Sequence, residues 1–224
     1  SYEDVLPAFR SLENNGVLDG RYHGRSGTLH VSNPRHRHPL SEAFVRAAIE
    51  AGVPANGDFN GERQEGVGFY QSTTYNGRRW SSAQAFLREA EKRPNLTIMT
   101  ETRVARVLFE GKRASGVELL DGRRIAASRE IVLTAGAIAT PKILQLSGIG
   151  DAAHLNSLGI PVVADLPGVG ANFQDHLEVP VQGETRDPIS ILGQDKGIRA
   201  ALHMARYLLT KQGLLTSNVV ESGG

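Results

Sequence analysis

The sequence predicts a mixed α/β fold, and three observations carry that prediction. First, segments with apolar residues at helical spacing recur along the chain, most clearly in PLSEAFVRAAIEAG, where Ala43, Phe44, Ala47, Ala48 and Ala51 fall on one side. Second, the runs Ala114 to Leu120 and Arg124 to Thr134 flank Asp121-Gly122, a dipeptide that tolerates the positive φ of a tight hairpin turn. Third, the apolar run Ile131-Val132-Leu133-Thr134 has the composition of a strand buried on both faces, and passes through Ala135-Gly136-Ala137 into a helical segment.

In chain order, SYEDVLPAFR places Val5, Leu6 and Phe9 at helical spacing. A strand is expected around Gly27 to Val31, and a helix from Pro39 to its Gly52 stop. Residues 53–79 are loop-rich around an extended piece, Gly68 to Tyr75, whose aromatic and β-branched content suits a strand. Ser81 or Ser82 is expected to cap a helix over SSAQAFLREAEKR, ended by Pro94 and Asn95. Three strands follow: Leu96 to Leu108, Ala114 to Leu120, and Arg124 to Thr134. Thr140 is expected to cap the next helix, with Pro141 at its first position. A short helix near Ala152 to Leu158, a strand from Ile160 to Ala164, a tight loop at Gly168 to Asn172, a strand from Leu177 to Gln182 and a helix near Ile198 to Leu209 complete the reading.

Composition narrows the functional classes. The 224 residues are 40% hydrophobic and 22% charged, which is ordinary for a folded chain. Lys plus Arg number 25 against 24 for Asp plus Glu, with no basic stripe of the kind nucleic acids require. The absence of Cys excludes disulfides, thiolate metal sites and cysteine nucleophiles from this segment. The chain opens within an amphipathic element and stops shortly after an apolar stretch, so it is expected to be a piece of a longer protein.

The densest motif is GAIATPKILQLSGIG, residues 136–150. Small residues before a helix leave its first N–H groups unpartnered and permit close backbone approach, which suits a nucleotide; the same pattern also serves as a plain structural turn. Gly148-Ile149-Gly150-Asp151-Ala152-Ala153 mimics a dinucleotide fingerprint, but its third position is lax and it follows a helix rather than a strand. His36 and His38, on a basic loop without a third ligand, are expected to be solvent-exposed rather than metal-binding.

Over its full length, GAIATPKILQLSGIG resembles the second signature of the glucose–methanol–choline (GMC) family of FAD-dependent oxidoreductases. SYEDVLPAF, HGRSGTLHV, NGRRWSSAQAFL, RPNLTIMTETRVARVLFEG and LGIPVVADLPGVGANFQDH resemble the same family in the same order, closest to its choline-dehydrogenase-like and alcohol-dehydrogenase-like members. The resemblance implies a Rossmann-like FAD-binding lobe with a β-meander over residues 80–175. Residues 1–79 and 176–224 would belong to a substrate lobe, with strands near Gly27–Val31, Gly68–Tyr75 and Leu177–Gln182 in one antiparallel sheet.

The cofactor implied is FAD, and the reaction is oxidation of a primary alcohol (choline-like, alkanol or aryl alcohol) to an aldehyde. A flavin-containing hydroxynitrile lyase on the same scaffold, or a catalytically inert fragment, are the alternatives. By the resemblance, Val104 contacts the adenine through its backbone, and Ala135 and Gly136 pack beside the nucleotide; from the residues alone Val104 is a strand position. Asn172-Phe173-Gln174-Asp175-His176 matches the segment that crosses between lobes, where Asp175 and His176 are expected to brace the crossover. No catalytic residue and no metal ligand is assigned. The family's Gly-x-Gly-x-x-Gly and its catalytic His would come from other parts of the same enzyme. The partner is a small-molecule alcohol, with the electron acceptor open and no nucleic acid. Location is expected to be cytoplasmic or peripheral to a membrane.

Overall fold

The computed structural model describes residues 1–224 and divides into two compact units, Ser1–Thr97 with Gln182–Gly224, and Ile98–Val181. In the first unit, helix α1 (Tyr2–Leu12) buries only Leu6 and carries Pro7 in its interior. It leads into β1 (Glu13–Asn15), which pairs in parallel with β2 (Leu29–Val31). Helix α2 (Pro39–Glu50) starts as the sequence predicts, with proline in its first turn and the His38 ring accepting the Leu40 N–H at 3.2 Å. Gly52, at φ +94°, follows its last turn.

The expected Gly68–Tyr75 strand is split in two. Strand β3 (Gly68–Phe69) pairs antiparallel with β11 (Ser222–Gly223), and β4 (Thr74–Tyr75) forms a hairpin with β5 (Arg78–Arg79). Asn76 and Gly77, at φ +50° and +68°, make that turn. Two positive φ values in a two-residue loop match the right-handed twist of the strands, and Asn-Gly is the dipeptide that adopts them most readily. His30 stacks on Tyr75 at 3.9 Å, with Trp80 edge-on to both rings. The helix expected over 81–93 opens with a wide turn, Ala83–Leu87, in which the Arg88 N–H reaches back five residues to the Ala83 carbonyl, and α3 (Arg88–Ala90) adds one more turn.

The second unit is built on a three-stranded antiparallel meander: β6 (Val104–Glu110), β7 (Arg113–Leu119) and β8 (Arg124–Ala126). Gly111 and Gly122 turn it with φ of +63° and +86°. Helix α4 (Gly136–Leu146) follows, then β9 (Ile149–Gly150), α5 (Ala152–Ser157) and β10 (Ala164–Asp165), the last pairing in parallel with β9. Val107, Leu119 and the fully buried Leu155 form its core. Helix α6 (Gly197–Thr210), in the first unit, ends on Lys211 in the left-handed region.

Several expectations are corrected. Helix α4 begins at Gly136, not Thr140, so Pro141 lies inside it and only the Ala137 carbonyl loses its bond. Strand structure is absent from 96–103 and from 127–134, so the first meander strand starts at Val104 and the third stops at Ala126. Residues 177–182 form no strand either; Leu177 and Val181 are 95% and 97% exposed. The strands near Gly27–Val31 and Gly68–Tyr75 do not share an antiparallel sheet with that segment, meeting only in the single bridge Ser32–Ser72. One physical reason covers these cases: an extended backbone becomes a strand only when a neighbour accepts its N–H groups, and no segment of this chain lies alongside.

Candidate cofactor-binding site

The site expected from the sequence rests on β6 and α4. Strand β6 is the outer strand of the meander, so one edge of its backbone lacks a strand partner. Ser147 fills part of that gap. Its Oγ accepts the Val107 N–H at 2.8 Å and donates to the Ile143 carbonyl, one turn back on α4, in a setting where both Val107 and Ser147 are buried. A side chain at the end of the helix therefore pins α4 across the strand. Sequence reading missed this role, although the motif contains the residue: a serine directly after a helical run and before Gly148 was the available signal. Ser147→Ala leaves a buried backbone N–H unpaired, so a loss of about 1–3 kcal/mol is expected in denaturant melts. A loss near zero would show that Ser147 does not tie the two elements.

Val104 lies three residues upstream on the same strand, half-buried and opposite Leu119. The register slips between Val104 and Arg106, a bulge that re-aims the start of the strand. Beside it lies a concavity of about 170 Å³ lined by Glu101, Thr102, Arg103, Leu119, Leu120 and Asp121. The Arg103 carbonyl is held by the Leu120 N–H at 2.9 Å, which fixes the backbone entering the strand. On the outer face, Arg106 and Arg124 flank Glu118, and the Arg106 hydrogen bond is the main reason its carboxyl sits below the usual range.

Ala135 and Gly136 stand at the opposite end of α4 from Ser147, a helix length of about 16 Å at 1.5 Å per residue. Ala135 offers no side-chain cap, and both residues are exposed. Gly136 adopts φ +86°, and a Cβ built on it would meet nothing within 4 Å. The first N–H groups of the helix thus face open space behind small residues, an arrangement that accepts a polar, electron-rich group. The donor set fits the nucleotide part of a dinucleotide, with backbone groups instead of charged side chains. The structure joins Val104 and α4 through the Ser147 tie but brings no residue against Gly136.

Other sequence expectations resolve differently. Gly148-Ile149-Gly150 is a packing element: a Cβ at Gly148 would run into the Pro161 carbonyl, and one at Gly150 into the Gln145 side chain. Asp151 caps α5 by accepting the His154 N–H at 2.7 Å. Asp175 and His176 are exposed, joined only by the His176 N–H donating to Asp175 at 2.8 Å, so within this chain they brace no crossover. The histidines are not the solvent-exposed pair expected from their basic loop. His36 Nδ1 lies 2.9 Å from the buried Glu221 carboxylate, and the His38 backbone N–H donates to its other oxygen at 2.6 Å.

The sequence profile of the GMC oxidoreductase family matches residues 1–178. The chain belongs to the GMC oxidoreductase family. This GMC chain is 45% identical to an alcohol dehydrogenase [acceptor] of Pseudomonas putida, over all of its own length and 42% of that protein. It is also 45% identical to the mitochondrial choline dehydrogenase of Mus musculus, over 100% of its own length and 38% of that protein. It therefore spans less than half the length of the curated relatives it matches. Among solved structures, an FAD-dependent oxidoreductase from Chaetomium thermophilum is similar over 96% of this chain and 41% of that one, with a TM-score of 0.82 and 34% identity. A pyridoxine 4-oxidase from Mesorbium loti is similar over 75% of this chain and 34% of that one, with a TM-score of 0.70 and 32% identity.

Proposed function

We propose that this chain is the cofactor-side segment of an FAD-dependent GMC oxidoreductase that converts a primary alcohol to an aldehyde. The observation that carries the reading is the 45% identity, over the whole chain, to proteins named as alcohol and choline dehydrogenases. Because the relatives are dehydrogenases and oxidases, the redox reaction is favoured over the lyase alternative. Bound FAD supplies the acceptor for the hydride of the alcohol carbon.

What this chain contributes is placement. The Val104 backbone, set by the bulge and by the Arg103–Leu120 bond, would hold the adenine. Ala135 and Gly136 would lie along the nucleotide, with the uncapped N-terminus of α4 offering N–H donors. The catalytic base belongs to other parts of the enzyme. The substrate is a choline-like, aliphatic or aryl alcohol.

The test is made on the family-length protein that carries this segment. The purified protein should show a flavin spectrum and reduce an artificial acceptor dye with choline, an alkanol or an aryl alcohol. Gly136→Val should lower the flavin-to-protein ratio several-fold, because a branched side chain at φ +86° displaces the turn. Full flavin content in that variant would remove Gly136 from the site. Flavin without activity on any primary alcohol would sink the reaction assigned.

A further inference from the structure

We propose that α6 is an interfacial helix whose exposed apolar face docks on an anionic lipid surface. The helix is held to its unit from one side only. His203 Nε2 lies 3.1 Å from the Gln194 side-chain oxygen, and the Tyr207 ring is covered by Lys211 Nζ at 4.5 Å. On the other side, Ile198, Leu202 and Leu209 fall within about 40° of one another at 100° per residue, with Ala205 between them. They are 77%, 64% and 85% exposed, and Leu208 on the neighbouring strip is 61% exposed. Leu192, just before the helix, adds another exposed apolar side chain.

Charge selects the occupant. From Lys196 to Lys211 the sequence holds four basic residues, Lys196, Arg199, Arg206 and Lys211, and no acidic one. Arg199 and Arg206 are seven residues apart and run along one border of the apolar strip, where their stems can lie on it while the guanidinium groups reach headgroup phosphates. A protein interface gains nothing from a wholly cationic border unless its partner is acidic, whereas an anionic bilayer rewards each basic residue by about fivefold in partitioning. The helix does not cross the bilayer: 14 residues span about 21 Å, short of the roughly 30 Å apolar layer, and no helix of the chain is long and apolar enough to do so. It would lie in the plane of the interface. This inference is independent of the redox reading, since vesicle binding needs no turnover.

The experiment is flotation of the family-length protein with vesicles of phosphatidylglycerol and phosphatidylcholine, and with phosphatidylcholine alone. Binding is expected to the anionic vesicles, weakened by salt, and reduced at least tenfold by Leu202→Glu with Leu209→Glu. Arg199→Gln with Arg206→Gln should reduce it several-fold. Both leucines are exposed, so thermal melts of the variants should match the parent. A Leu209→Cys variant adds a second readout: its thiol should react freely with an aqueous maleimide without lipid and become protected on anionic vesicles. Three outcomes overturn the proposal: no binding, binding indifferent to the Leu202 and Leu209 changes, or a thiol already protected without lipid. The last would mean that another protein surface, from the same chain or a second copy, covers the face.

Discussion

Replacing His23 with leucine is expected to destabilise the first unit by about 3 kcal/mol, the largest single-residue effect in the chain. The imidazole is buried, with Nδ1 3.1 Å from Glu13 and Nε2 3.0 Å from Asp58. A ring with a carboxylate on each nitrogen is held as the doubly protonated cation. Burial pushes its pKa down, but the hydrogen bonds and charges of Glu13 and Asp58 more than offset this and leave it raised. Around it, Asn15 donates to Gln71, and Arg10 donates to the His23 carbonyl, so the cluster joins α1, β1 and the 54–71 loop region. Leucine fills similar volume but leaves two partly buried carboxylates facing each other. Because the folded pKa is raised, the stabilisation is complete below the unfolded histidine value near 6.5 and is lost as pH rises through the higher folded value. Urea melts across that range should show parent stability falling with rising pH, and the leucine variant lacking that slope. Equal slopes would show that His23 is not the titrating group.

Glu221→Ala is expected to cost about 3 kcal/mol, by the same principle with the charges reversed. Its carboxylate is 2% exposed and accepts from Ser217 Oγ at 2.6 Å, from the His38 N–H at 2.6 Å and from His36 at 2.9 Å. Burial pushes this carboxyl up; the three donors together outweigh burial and hold it below the usual range. The sign is therefore opposite to that of His23: the contribution is present above the unfolded carboxylate value near 4.3 and is lost as pH falls through the lower folded value. Alanine strands three donors, whereas Glu221→Gln keeps the shape and should cost about half as much. The clearest readout is hydrogen exchange at the Tyr70 amide, which donates to the Glu221 carbonyl at 2.9 Å. Unchanged protection there would show that the carboxylate does not anchor β11.

The sequence was most legible where structure is local. Helix α2 and helix α6 follow apolar spacing and end residues, and the meander follows from two short turns, so neighbouring residues decide them. The strands expected at 96–103, 131–134 and 177–182 have strand composition but no partner in this chain, and composition cannot supply one. The site divides in the same way. Val104, Ala135 and Gly136 could be placed on a strand and a turn, whereas the Ser147 bond to Val107 spans 40 residues and depends on how α4 crosses β6. The two buried charge clusters were missed because their partners lie far apart in sequence, His23 from Asp58 by 35 residues and Glu221 from His36 by 185.

That last separation bears on synthesis. The unit from Ile98 to Val181 is continuous and can fold as soon as it emerges, but the other unit receives its final strand only when residues 217–223 are made. At roughly 5–20 residues per second, His36 and His38 wait about 10–40 s for their carboxylate. Throughout that interval the loop carrying them and the edge of β3 stand open, so nascent chains should depend on a holding chaperone until the ribosome has passed Glu221.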